Sequence, residues 1–133
     1  MVRILTSKKG APTAFSNGIY LNSRYDPREE ARKTVSAQLG SIRPQTVLVL
    51  GETLGYLSEA ILAHSPNTRC IQLFYDASLY KTSHCRTSDA WHPRMELSHF
   101  AFMMSRVNEL EAAQLSIVEW TPSAKAYPET ARE

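Results

Sequence analysis

The stretch Thr46-Val-Leu-Val-Leu-Gly-Glu-Thr-Leu-Gly-Tyr56 decides the fold of this chain. Val47 to Leu50 are consecutive apolar residues, and half of them are β-branched. A run without polar alternation suits a strand buried on both faces, as in a parallel sheet covered by helices. Gly51 and Gly55 then predict a tight turn and a helix packed close to the strand. The Thr53 hydroxyl is placed to cap that helix. Leu57, Ala60, Ile61 and His64 share one helical face, and Pro66 ends it. Strand, turn and helix are the opening unit of a Rossmann-like α/β domain.

Two readings of the turn stand side by side. The N-terminus of such a helix has free N–H groups and a partial positive charge, so it can hold an anion. The alternative is a strand-to-helix turn that binds nothing. The full dinucleotide fingerprint has three glycines, whereas this turn has two.

The flanks extend the same architecture. Val2 to Leu5 and Gly18 to Leu21 read as short strands, with turn signals at Lys8-Lys9-Gly10 and Ser16-Asn17-Gly18. A small N-terminal β-hairpin or meander over residues 2–22 follows, covering one edge of the core. Asp26, Pro27 and Glu29 form a helix start with a capping-box pattern, Ala31, Val35 and Leu39 make its apolar stripe, and Gly40 stops it. Arg24, Tyr25 and Arg28 either face a ligand there or are a packing tyrosine and two solvated arginines.

Arg69 to Tyr75 reads as a second strand, parallel to the first. Asp76 ends it. That aspartate either accepts hydrogen bonds from a ligand hydroxyl, as in nucleotide-binding versions of this fold, or caps the short helix that follows. Pro93 to Ala113 reads as a long helix with Leu97, Phe100, Ala101, Met104, Val107 and Leu110 inside. Phe102 and Met103 fall on its polar face, where they would mark a subunit or partner contact. Leu115 to Trp120 is a third buried strand, and residues 124–133 read as a polar tail. The expectation is one domain of 133 residues, an α/β core over residues 26–122 with a mostly parallel three-layer arrangement.

Composition narrows the function classes. A hydrophobic fraction of 43%, a charged fraction of 21% and a net charge of +2 describe a globular chain without the basic excess of a nucleic-acid binder. No stretch is apolar enough to span a membrane, and the N-terminus does not read as a secretory signal. Cys70 and Cys85 form no disulfide framework, and cytoplasmic thiols are the simpler reading. His84, Cys85, Asp89, His92 and His99 are metal-competent types, but no pair has regular zinc spacing, so no metal is expected. No catalytic nucleophile is marked by spacing, and no cofactor is identified.

Four pieces together resemble a bacterial family: Ser23-Arg-Tyr-Asp-Pro27 with its following Glu-Ala, Val49-Leu-Gly-Glu-Thr-Leu-Gly-Tyr56, the second strand through Asp76, and Val118-Glu-Trp-Thr-Pro-Ser123. The chain is similar to the N-terminal part of the motility accessory factors, a domain related to 6-hydroxymethylpterin pyrophosphokinase, and most like the spirochaete-type members. The resemblance runs from about residue 10 to 128. It implies a cytoplasmic protein linked to glycosylation of flagellins with nonulosonic acids. A larger central domain in that family is associated with transfer from a CMP-activated sugar. The chain ends before such a domain, so transferase activity is not carried over.

Two positions depart from the family. Glu52-Thr53 interrupts the glycines of a Gly-x-Gly-Leu-Gly-Tyr-like turn, and Phe74 stands where a glutamate is usual. Both changes favour a non-catalytic Rossmann-like module that docks onto a partner protein or onto itself. The alternative is a nucleotide- or S-adenosylmethionine-binding transferase, with Gly51, Glu52, Thr53, Gly55, Tyr56 and Asp76 around its ligand.

Overall fold

The computed structural model describes residues 2–87, 89–95, 98, 101–102 and 115–132. Its centre is the predicted strand, β4 (Thr46–Glu52), preceded by β1 (Arg3–Thr6), β2 (Pro12–Ser16), β3 (Ile19–Tyr20) and α1 (Pro27–Leu39). After it come α2 (Tyr56–His64), β5 (Arg69–Phe74), α3 (Ala77–Thr82), β6 (Ala90–Trp91), β7 (Leu115–Glu119), α4 (Thr121–Ala126) and α5 (Pro128–Arg132). The strands form two sheets. β1, β2 and β3 make an antiparallel meander. β6, β5, β4 and β7, in that spatial order, make an all-parallel sheet. The fold is α/β and Rossmann-like, as the sequence predicts.

Burial on both faces explains the apolar run in β4. Val47 and Val49 point into a cluster with Val35 and Leu39 of α1, Leu57 and Ile61 of α2, and Val118. Leu48 points the other way, towards Ile71, Leu73, Trp91 and Phe102. Phe102 is fully buried. It covers the second face of the sheet, so the expectation that it marks a docking surface is corrected. Met103 lies outside the described residues. Residues 93–95 form a turn rather than the start of the predicted helix, and residues 101–102 are helical. β7 is also an edge strand rather than a buried one. Ile117 is 56% exposed while Val118 and Trp120 are buried.

The start of α1 is only partly as expected. Asp26 caps it, its Oδ1 accepting the N–H of Glu29 at 3.2 Å, with Pro27 next. The reciprocal bond of a capping box is absent, because the Glu29 carboxylate is taken by Arg32. Glu30 instead accepts the N–H of Ser23 at 2.6 Å.

The N-terminal meander does not cover an edge. Ala14 and Leu21 pack with Leu54, Phe74, Leu79 and Ala126, residues that follow or end β4, β5 and β7. The meander therefore caps the carboxyl end of the parallel sheet. Trp120 Nε1 donates to the carbonyl of Leu21 at 2.6 Å, and Asn22 Nδ2 donates to Thr53 Oγ1 at 2.8 Å. The predicted polar tail is structured as well. Ala126 is buried, as is Ser123 just before the tail, and the Tyr127 hydroxyl bonds Ser16 and Asp76. Small, polar-looking residues hide this segment's role, since Ser and Ala are judged buried only by what they touch.

Candidate functional site

In an open parallel sheet, ligands bind outside the carboxyl ends of the strands, where neighbouring crossovers leave in opposite directions. Here that point lies between β4 and β7, because the chain runs from β4 outward through β5 and β6 and then returns to β7 on the far side. The Gly51–Gly55 segment stands at this crevice.

Gly51 is not in the turn but in a bulge within β4, where the register against β5 shifts between Leu50 and Glu52. Its φ is +87°. A Cβ there would lie 2.5 Å from Ser123 Cβ and 3.2 Å from the Tyr75 ring. The Ser123 hydroxyl also donates to the Gly51 carbonyl at 2.6 Å. So the close approach that a glycine permits is made by the first turn of α4, not left open.

Gly55 has φ +105° and precedes α2. A Cβ on it would meet the Cys85 nitrogen at 2.7 Å and the Ser83 hydroxyl at 2.9 Å. The segment 83–87 therefore roofs this glycine. His84 N–H donates to the Leu54 carbonyl at 3.0 Å, which holds the roof on the turn.

Glu52 occupies the place an anion would take. It is fully buried. Its Oε1 accepts the N–H of Ser58, in the first turn of α2, at 2.9 Å, and its Oε2 accepts the N–H of Thr53 at 3.0 Å. Gln72 Nε2 is within hydrogen-bond distance of Glu52 Oε1 (3.3 Å), Ser58 Oγ (2.8 Å) and the Cys85 carbonyl (2.8 Å). Gln72 Oε1 accepts the N–H of Thr87 at 2.8 Å. Burial pushes the Glu52 carboxyl above the usual carboxylate range, opposed by the hydrogen bonds from Ser58, Thr53 and Gln72. The helix cap thus comes from Glu52, and Thr53 does not cap α2; its hydroxyl accepts from Asn22.

The structure separates the remaining candidates. Tyr56 is buried, and its hydroxyl donates to the Pro12 carbonyl at 2.5 Å. Its ring lies between the Arg28 guanidinium, 5.3 Å away, and the His84 ring, 5.1 Å away. Glu59 ties both, bonding Arg28 at 3.0 Å and His84 at 2.8 Å. Arg28 thus joins this network, while Arg24 lies over the Tyr20 ring and Tyr25 is 56% exposed. Asp76 caps α3, its Oδ1 accepting from Ser78 N at 2.8 Å and Ser78 Oγ at 2.6 Å. It also lines a separate cleft at the end of β5. Gly51, Glu52, Thr53 and Gly55 line none of the principal clefts.

No protein-family model, no curated protein and no solved structure matches the chain. Among the described residues, no three His, Cys, Asp or Glu side chains converge on a metal-sized site. Asp89 pairs with Arg69, and His84 with Glu59. Cys70 is buried in β5, and burial, with the nearby Glu52 and Cys85, pushes its thiol up to about 12. Such a thiol is protonated and unreactive at neutral pH. No helix among the described residues is long and apolar enough to cross a membrane.

Residue reading missed Ser58, Gln72, Cys85 and Ser123 as parts of this centre. A signal for one of them, Gln72, was present. Glu52 and Gln72 each stand inside an apolar strand, and a buried polar group must find partners there. The natural partner of each was the other.

Proposed function

We propose that the chain is a non-catalytic Rossmann-like module, of the kind found at the N-terminus of motility accessory factors, that docks onto a partner protein or onto itself. One observation carries this reading: the Glu52 carboxylate sits on the N-terminus of α2, bonded to Ser58 and Thr53. A ligand phosphate would have to displace a buried group that already takes these N–H donors. The cap of Leu21 and Asn22 over the crevice, the Ser83–Cys85 roof and the Ser123 contact support the same conclusion.

The competing reading is a nucleotide- or S-adenosylmethionine-binding transferase with its site at Gly51–Gly55. It requires the roof to lift and Glu52 to leave the helix. Thermal shift with S-adenosylmethionine, adenine nucleotides, CMP and a CMP-sugar separates the two. Ligand at a hundred times its dissociation constant adds about 2.7 kcal/mol of stability. The docking reading expects no shift from a ligand at the turn, together with a particle mass by light scattering above the 15.0 kDa of one chain, alone or with a partner. A shift that is abolished by a change at the turn overturns it.

A further inference from the structure

A second cleft lies at the end of β5; Gly51, Glu52, Thr53 and Gly55 do not line it, although the ring of its Tyr75 packs on Gly51. It holds about 530 Å³. Val2, Tyr75, Asp76 and Ser78 line it together with Lys81 and Arg94, both exposed. Its volume is in the range of small-molecule sites, roughly 300–1,000 Å³.

The charges are arranged unevenly. Neither Lys81 nor Arg94 makes an ion pair among the described residues. The two act together on one neighbour: the His92 ring is held below its usual pKa by burial first, then by the charges of Lys81 and Arg94. Two cations that line one cleft, neither in an ion pair among the described residues, favour an anion, and a phosphate offers both of them acceptor oxygens.

Asp76 adds selectivity. Burial would raise its carboxyl, but hydrogen bonds from Ser78 and Tyr127 hold it below the usual aspartate value, so it is ionised at neutral pH. Ser78 takes Oδ1 and the Tyr127 hydroxyl lies 3.1 Å from Oδ2. A carboxylate has about four lone-pair directions, so acceptor capacity remains. A bare anion is repelled by this group, whereas a ligand carrying hydroxyls donates to it.

We propose that the cleft lined by Asp76, Ser78, Lys81 and Arg94 binds a small hydroxylated phosphomonoester, its phosphate held by the two cations and a hydroxyl on Asp76. This goes beyond the docking reading and does not depend on it, because none of Gly51, Glu52, Thr53 and Gly55 lines the cleft.

The test is an amide-detected NMR titration of the full chain with glucose 6-phosphate, glucose and inorganic phosphate, repeated on the double variant Lys81→Ala/Arg94→Ala. Glucose 6-phosphate is expected to give saturable shifts at Asp76, Ser78 and Lys81, at least tenfold tighter than inorganic phosphate or glucose. The double variant, whose changes are at two exposed side chains, should keep its spectrum and lose at least tenfold in affinity. Absence of saturable shifts at these amides overturns the proposal, as does equal binding by the double variant. Inorganic phosphate binding as tightly as glucose 6-phosphate also overturns it, since it would show charge attraction alone. Shifts confined to Gly51–Gly55 would instead count against the docking reading.

Discussion

The Glu52 carboxylate accepts the backbone N–H of Ser58 at 2.9 Å, so the strand β4 caps the helix α2 that follows it. The same carboxylate takes the Thr53 N–H and lies near the Gln72 amide. Glu52→Ala leaves these donors buried without an acceptor. Each orphaned donor costs about 1–3 kcal/mol, so the variant should lose about 3 kcal/mol or more in urea denaturation. A loss below about 1 kcal/mol would mean that the carboxylate is not the cap.

Burial raises the Glu52 pKa above its ordinary 4.5, which fixes the sign of a pH effect. Between 4.5 and the folded value, the native state keeps a proton that the unfolded chain has released. Stability should therefore fall as pH rises through that window. Glu30 is also raised by burial, against the bond from the Ser23 N–H, and contributes a slope of the same sign. Glu52→Gln should flatten the curve of unfolding free energy against pH and leave the Glu30 part. Parallel curves for the two proteins would contradict a buried, proton-linked Glu52.

Gly55 holds φ +105° beneath the Cys85 backbone. Gly55→Ala adds both left-handed strain and a clash with the roof. A loss of about 2 kcal/mol or more is expected. If the roof is displaced, Cys85 should react faster with an aromatic disulfide reagent, while buried Cys70 stays slow. Unchanged stability and an unchanged Cys85 rate would show that the segment does not press on the turn.

Phe102 packs with Leu48, Ile71 and Trp91 on the second face of the sheet. Phe102→Ala should cost about 3–5 kcal/mol, as for large-to-small changes in cores. Phe102→Asp should prevent folding rather than alter the oligomeric state. A folded Phe102→Asp protein with changed mass would restore Phe102 as a surface contact.

The parts of the fold that were legible in sequence are those set by local pattern. The unbroken Val47–Leu50 run gave a strand buried on both faces, and Asp26-Pro27 gave the start of α1. The Asn17-Gly18 turn gave the hairpin. What was not legible depends on distant partners. Gly51 and Gly55 mark close approach in either a ligand site or a packed one, and only Ser123 and Cys85, far along the chain, distinguish them. Phe102 reads as out of phase because helical periodicity does not say that a second sheet face needs cover. The short segment after Trp120 carries too few large apolar residues to show its burial. Asp76 caps α3, one of its two readings, and also lines a cleft.

The central claim is that the turn between β4 and α2 is filled from within. The most direct measurement is an amide-detected NMR titration with ADP, CMP and S-adenosylmethionine, read at Gly51, Thr53, Gly55 and Ser58. The account expects these four amides to stay in place at millimolar ligand, with the Thr53 and Ser58 N–H groups held by Glu52. Saturable shifts at Thr53 and Ser58 with any of the three would show that a ligand displaces the carboxylate, and the account would be wrong.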